Sequence, residues 1–121
     1  MSYDNNNIFA KILRGEIPCK KIYEDDFVLS FYDINPQKKI HALVIPKGRY
    51  IDLDDFSQNA SPEEMVGLLK GINTVAKKLG ISVDKGKGYR ALANISEDGG
   101  QEVPHLHFHL FGGERVGKMV E

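Results

Sequence analysis

Three of the four histidines in this chain, His105, His107 and His109, alternate with Leu106, Phe108 and Leu110 near its C-terminal end. Side chains alternate sides along a β-strand. A strand over residues 105–111 therefore puts all three imidazoles on one face and the apolar residues on the other. Imidazole can act as nucleophile, general acid or base, donor to phosphate, or metal ligand. A strand that only fills a core has no use for three titratable rings in register.

Spacing and flanks choose among these chemistries. Alternate strand residues lie about 6.6 to 6.8 Å apart along the axis, whereas a compact tetrahedral metal site draws its ligands from several elements. The chain has no CxxC and no HExxH motif, and its single cysteine, Cys19, is remote. A built metal centre is not expected, although a soft divalent ion could bind the comb adventitiously. Gly99-Gly100-Gln101 precedes the histidines. Glycine lets backbone N–H groups approach an anion, and glutamine adds an amide donor. A phosphate held there is open to attack by a neighbouring ring nitrogen, giving a phosphohistidine that water resolves. The rival reading is three hydrogen-bonded structural histidines.

The elements that must position these rings follow from pattern. Ile8 to Arg14 reads as a short helix stopped by Gly15, and Lys21 to Glu24 and Phe27 to Asp33 as strands around Glu24-Asp25-Asp26. His41 to Ile45 is a third strand, ended by Pro46-Lys47-Gly48. Pro62 to Leu79 is the clearest helix. Ser61 caps it, Glu64 completes a capping box and Gly80 ends it. Met65, Leu68, Leu69, Ile72, Val75, Ala76 and Leu79 form its apolar stripe. Tyr89 to Ile95 is a further strand, joined through Gly99-Gly100 to the histidine strand. Short connections favour antiparallel pairing, hence an α+β domain with helices on one side of a sheet.

Composition narrows the function classes. The 121 residues suit one domain, residues 1–121, with 1–7 and 115–121 as flexible ends. So short a chain favours a partner for extra burial. A net charge of -1, with Lys38-Lys39 and Lys85 to Lys87 as small solvated clusters, argues against nucleic acid. Met1 to Asn7 is polar and no run is apolar enough to span a bilayer. One cysteine permits no internal disulfide, which suits the cytoplasm.

The motifs together resemble one family. His-x-His-x-His followed by two apolar residues is similar to the signature of the histidine triad (HIT) family. Ile8-Phe9, Glu16-Ile17-Pro18, Asp33-Ile34-Asn35-Pro36-Gln37, His41, Leu43-Val44-Ile45-Pro46, Asn94, Gly99-Gly100-Gln101 and Leu110-Phe111-Gly112-Gly113 resemble its histidine triad nucleotide-binding branch. The likeness runs from about residue 8 to 113, and Gly-Gly-Gln-Glu-Val looks bacterial.

The resemblance implies a five-stranded antiparallel sheet with two helices, and a homodimer with one continuous ten-stranded sheet. It implies hydrolysis of purine nucleoside 5′-phosphoramidates to a nucleoside monophosphate and an amine, with no cofactor. By position, His107 would attack the α-phosphate and His109 would donate to its oxygens. His105, with His41 behind it, would orient His107. Asn94, Gly100, Gln101 and Val103 would line the phosphate site. Asp33 would accept from the ribose hydroxyls, and Phe9, Ile12, Ile17, Phe31 and Ile34 would enclose the purine. Plain core packing rivals the purine role of the apolar residues, and a turn acceptor for Asn35-Pro36 rivals the ribose role of Asp33. Glu102 stands where eukaryotic relatives usually carry a serine able to protonate the leaving amine. Pro104 replaces a common aromatic, and the tail from Arg115 lacks tryptophan. A dinucleoside polyphosphate hydrolase of the same superfamily and a non-catalytic purine nucleotide-binding protein are the alternative readings.

Overall fold

Residues 2–120 are described by a computed structural model. Local rules explain most of its elements. Asn7 caps α1 (Ile8–Leu13) by accepting from the Ala10 N–H. Strands β1 (Lys21–Glu24) and β2 (Val28–Tyr32) turn about Asp25, whose Oδ1 accepts from the Phe27 and Val28 N–H groups. Strand β3 (Ile40–Pro46) follows, then a short helix α2 (Leu53–Asn59) capped by Asp52. Helix α3 (Pro62–Lys78) has the expected capping box, with Ser61 and Glu64 each bonding the other's backbone. Strand β4 (Arg90–Leu92), one turn of helix α4 (Ser96–Gly99) and strand β5 (Phe108–Gly112) complete the order. All strand pairs are antiparallel, in the order β1-β2-β3-β5-β4. The α+β class and the five-stranded sheet are as expected; α2 and α4 are additional to the two helices anticipated.

Alternation splits the sheet into two faces. Val28, Ala42, Val44 and Leu110 face α3 and pack with Leu68 and Val75. Leu29, Phe31, Leu43 and Ile45 face the other way and pack with Phe9 of α1. Helices therefore cover both faces, not one, because α1 carries its own buried Phe9 across the sheet. Helix α3 lies so close that a Cβ on Gly71 would come within 2.8 Å of Val28, and one on Gly67 within 2.5 Å of Phe27. Leu69, expected in the apolar stripe, stands 69% exposed outside it.

Two strand expectations change. Strand β4 is only three residues long because the chain turns into α4 after Asn94, with Ser96 at a φ of 58°. Strand β5 begins at Phe108, not His105. Pro104 lacks an N–H, the His105 N–H bonds the Val103 carbonyl, and the Leu106 N–H bonds the Tyr50 carbonyl, so this stretch joins no ladder. The alternation persists through it: Leu106 and Leu110 are in the α3-side core, and Phe108 packs against it.

Candidate active site

The histidines collect on the α1 side of the sheet. His105 is fully buried, His107 nearly so and His109 half-buried. The His107 and His109 ring centroids are 5.1 Å apart, and Phe9 sits edge-on to His107 at 5.0 Å. His41 on β3 is the diagonal cross-strand neighbour of His109, since Leu43 pairs with His109 and His41 with Phe111. The expected place of His41, behind His105, is thus corrected: register puts its Nε2 2.9 Å from His109 Nδ1.

The hydrogen-bond partners determine which nitrogen of each neutral ring carries the proton. A carbonyl only accepts and a backbone N–H only donates. His105 Nε2 lies 2.8 Å from the Pro46 carbonyl, so it carries the proton. Its Nδ1 then accepts from the Tyr3 hydroxyl at 2.5 Å. His107 Nδ1 lies 2.7 Å from the His105 carbonyl and must donate to it. That leaves His107 Nε2 with its lone pair. His41 Nδ1 accepts from the Gln37 N–H at 3.1 Å, so its Nε2–H donates to His109 Nδ1. That leaves His109 Nε2 with a proton. The two rings beside each other therefore differ: His107 offers a nucleophile and His109 a donor.

Burial keeps these rings neutral. Desolvation lowers His105 to about 4, and desolvation with the neighbouring His107 and His41 lowers His109 to about 4. His107 is also below its ordinary value through burial, opposed by its bond to the His105 carbonyl and by the charges of Asp33 and Glu102. Burial lowers His41 too, against the pull of Asp33.

Other expected site residues fall in three groups. Phe9 and Phe31 are buried, edge-to-face at 5.6 Å, and form a floor under the histidines rather than open slot walls. Ile12 and Val103 pack partly buried against the same cluster, and Ile17 is half-buried. Ile34, by contrast, is 88% exposed at the rim. Asp33 spends Oδ1 on the Asn35 N–H, the turn role weighed above, and holds Oδ2 3.5 Å from His41 Nε2. Asn94 is half-buried at the turn into α4.

The Gly99-Gly100-Gln101 turn is built differently from expectation. Its three N–H groups bond the carbonyls of Ile95, Glu97 and Ser96. Gly100 adopts a left-handed φ of 76° as the C-cap of α4. The Gln101 amide donates to the Ile51 and Val103 carbonyls and accepts from the Ser96 N–H. Gln101 thus ties the loop down, and its donors are spent on protein because the turn closes on itself.

Asp33, His41 and His109 form the only potential metal-ligand trio among the described residues, with ligand atoms within 4.8 Å of one another. The His41 Nε2–H is given to His109 Nδ1 within this trio, so a cation would have to displace that proton. Cys19 packs half-buried against the α1-side core, where burial raises its thiol pKa. Sequence patterning missed Tyr3, Phe111 and the Gln37 N–H. Phe111 was legible in principle: two residues past His109 on one face, it stacks parallel to that ring at 5.8 Å.

This sheet and its histidine cluster are those of a HIT protein: residues 14–116 match the HIT domain model, and the chain belongs to that family. It is 54% identical over 119 residues to an uncharacterized 13.2 kDa HIT-like protein of Azospirillum brasilense, covering 98% of this chain and 95% of that one. It is 41% identical over 114 residues to the purine nucleoside phosphoramidase of Escherichia coli, covering 93% and 92%. The solved HIT family hydrolase of Clostridium thermocellum superposes with a TM-score of 0.85 at 37% identity, covering 98% and 99%.

Proposed function

We propose that this protein hydrolyses purine nucleoside 5′-phosphoramidates through a nucleotidyl-histidine intermediate. The observation that carries the reading is the 2.7 Å bond from His107 Nδ1 to the His105 carbonyl, which leaves Nε2 unprotonated beside a donor on His109. His107 Nε2 gives its lone pair to phosphorus as the P–N bond breaks, and the amine leaves with a proton drawn from solvent, which the water of the next step returns. Water then cleaves the phosphorus–histidine bond, giving the nucleoside monophosphate and restoring the ring. His109 Nε2–H stabilises the negative charge that builds on the phosphoryl oxygens. Asp33 accepts from the ribose, and Ile34 at the rim closes over the base. Asn94, Val103 and the loop tied by Gly100 and Gln101 shape the phosphate end.

The relative named purine nucleoside phosphoramidase supports this substrate class. The proposal includes a homodimer in the cytoplasm, with the two sheets joined edge to edge into one of ten strands. The test is turnover of adenosine and guanosine phosphoramidates beside diadenosine polyphosphates, by wild type and His107→Ala. Release of amine by the wild type alone is expected. Amine release by His107→Ala at a near wild-type rate would overturn the nucleophile.

A further inference from the structure

We propose that Tyr3 is a positioning residue for the histidine site: together with the Pro46 carbonyl it holds the proton of His105 on Nε2, and by seating that ring it holds the carbonyl that faces His107. The inference rests on the hydrolytic reading above for its catalytic consequence, but its structural content is independent of it.

The geometry forms a chain of three directional bonds. Tyr3 Oη gives its proton to His105 Nδ1 at 2.5 Å, His105 Nε2–H gives its proton to the Pro46 carbonyl at 2.8 Å, and the His105 carbonyl receives His107 Nδ1–H at 2.7 Å. The His105 ring is fully buried, so none of its polar atoms can turn to water instead. With the proton on Nδ1, His105 would set the Nε2 lone pair against that of the Pro46 carbonyl. In a site this buried the ring has no room to turn aside, so relieving that repulsion requires the peptide around His105 to shift, and its carbonyl with it. His107 would then lose the acceptor that keeps its proton on Nδ1, and Nε2 could hold the proton instead. A ring in that state has no lone pair for phosphorus.

The segment before α1 is built to deliver Tyr3. The Asp4 carbonyl accepts from both the backbone and side-chain N–H of Asn7, and Asp4 Oδ1 accepts from the Asn6 N–H. Asn7 is itself buried as the α1 cap. Tyr3 packs edge-on to His105 at 5.6 Å, while Phe9 of the same segment packs edge-on to His107 at 5.0 Å. Residues 2–7, read from sequence as an end, thus make specific contacts with the site.

The experiment reads ring protonation and rate separately. Long-range nitrogen–proton spectra of the wild type at neutral pH should place the His105 proton on Nε2 and the His107 proton on Nδ1. Tyr3→Phe removes only the hydroxyl. It should mix the tautomers of both rings and lower kcat on adenosine 5′-phosphoramidate about tenfold, with KM within about twofold. A wild-type His105 protonated on Nδ1 overturns the proposal without any variant. So does a Tyr3→Phe protein with unchanged spectra, or one with altered spectra and unchanged kcat. A wild type inert toward phosphoramidates, yet showing the expected tautomers and their loss in Tyr3→Phe, would defeat the hydrolytic reading and leave the assignment of Tyr3 standing.

Discussion

The two faces of the sheet come from alternate residues of the same strands, yet they are held together by different forces. On the α3 side, Val44, Leu68, Val75 and Leu110 make a core without a histidine, and two glycines let the helix approach. Its order comes from shape and from burial of apolar area. On the α1 side, a smaller apolar cluster around Phe9 and Phe31 lies under four imidazoles. There each ring is aimed by a hydrogen bond of fixed direction. The larger apolar core and the histidine cluster are thus separated across one sheet's thickness, and substitutions should divide the same way.

The largest effect expected is on the histidine face. His107→Ala should lower kcat by about a thousandfold or more while leaving the melting temperature and nucleoside monophosphate binding nearly unchanged. Steady-state kinetics with calorimetry checks both halves. On the opposite face, Leu68→Ala should cost about 3 kcal/mol of stability, seen as a lower denaturant midpoint, with kcat kept below the transition. A Leu68→Ala enzyme that is fully stable but slow would collapse the distinction between faces.

Mild acid should act first on the histidine face. The folded-state pKa values of His105 and His109 are depressed to about 4 from an ordinary 6.5, so the unfolded chain takes up protons first. Their share of stability is complete above about pH 6.5 and is lost as pH falls toward about 4. Denaturant titrations across that window should show the decline. Replacing His105 with glutamine should remove its share of the slope and leave that of His109.

Smaller effects sharpen the site itself. Asp33→Ala should weaken ribonucleotides by about tenfold relative to 2′,3′-dideoxy analogues, measured by competitive inhibition. Equal losses for both would remove Asp33 from the ribose. Treatment with a chelator should leave the rate unchanged. A chelator-sensitive rate restored by zinc would instead give the Asp33–His41–His109 trio a working metal.

Legibility in the sequence followed locality. Helix α3 was readable because its cap, first-turn proline and stripe lie within one segment, and the strands because their alternation is local. Helix α2 was not: it buries only Phe56, too little for a periodic signal. The histidine strand was extended too far because the Leu106 N–H goes to Tyr50, a partner no local pattern reveals. Gln101 was read as a free donor for the same reason, its partner at Ile51 being 50 residues away. The histidine comb itself was plain. The division of labour among its rings depended on carbonyls and amides elsewhere in the chain.

The bond between Tyr3 and His105 joins residues 102 apart in sequence. Residues 2 and 4–6 are exposed, and a segment with so few buried contacts opens at a lower free energy than the sheet it rests on. Heating would therefore release the arm before the strands part, and with it the proton order of the rings. Loss of activity on heating would then precede the melting of the sheet, with residues 2–7 setting that limit.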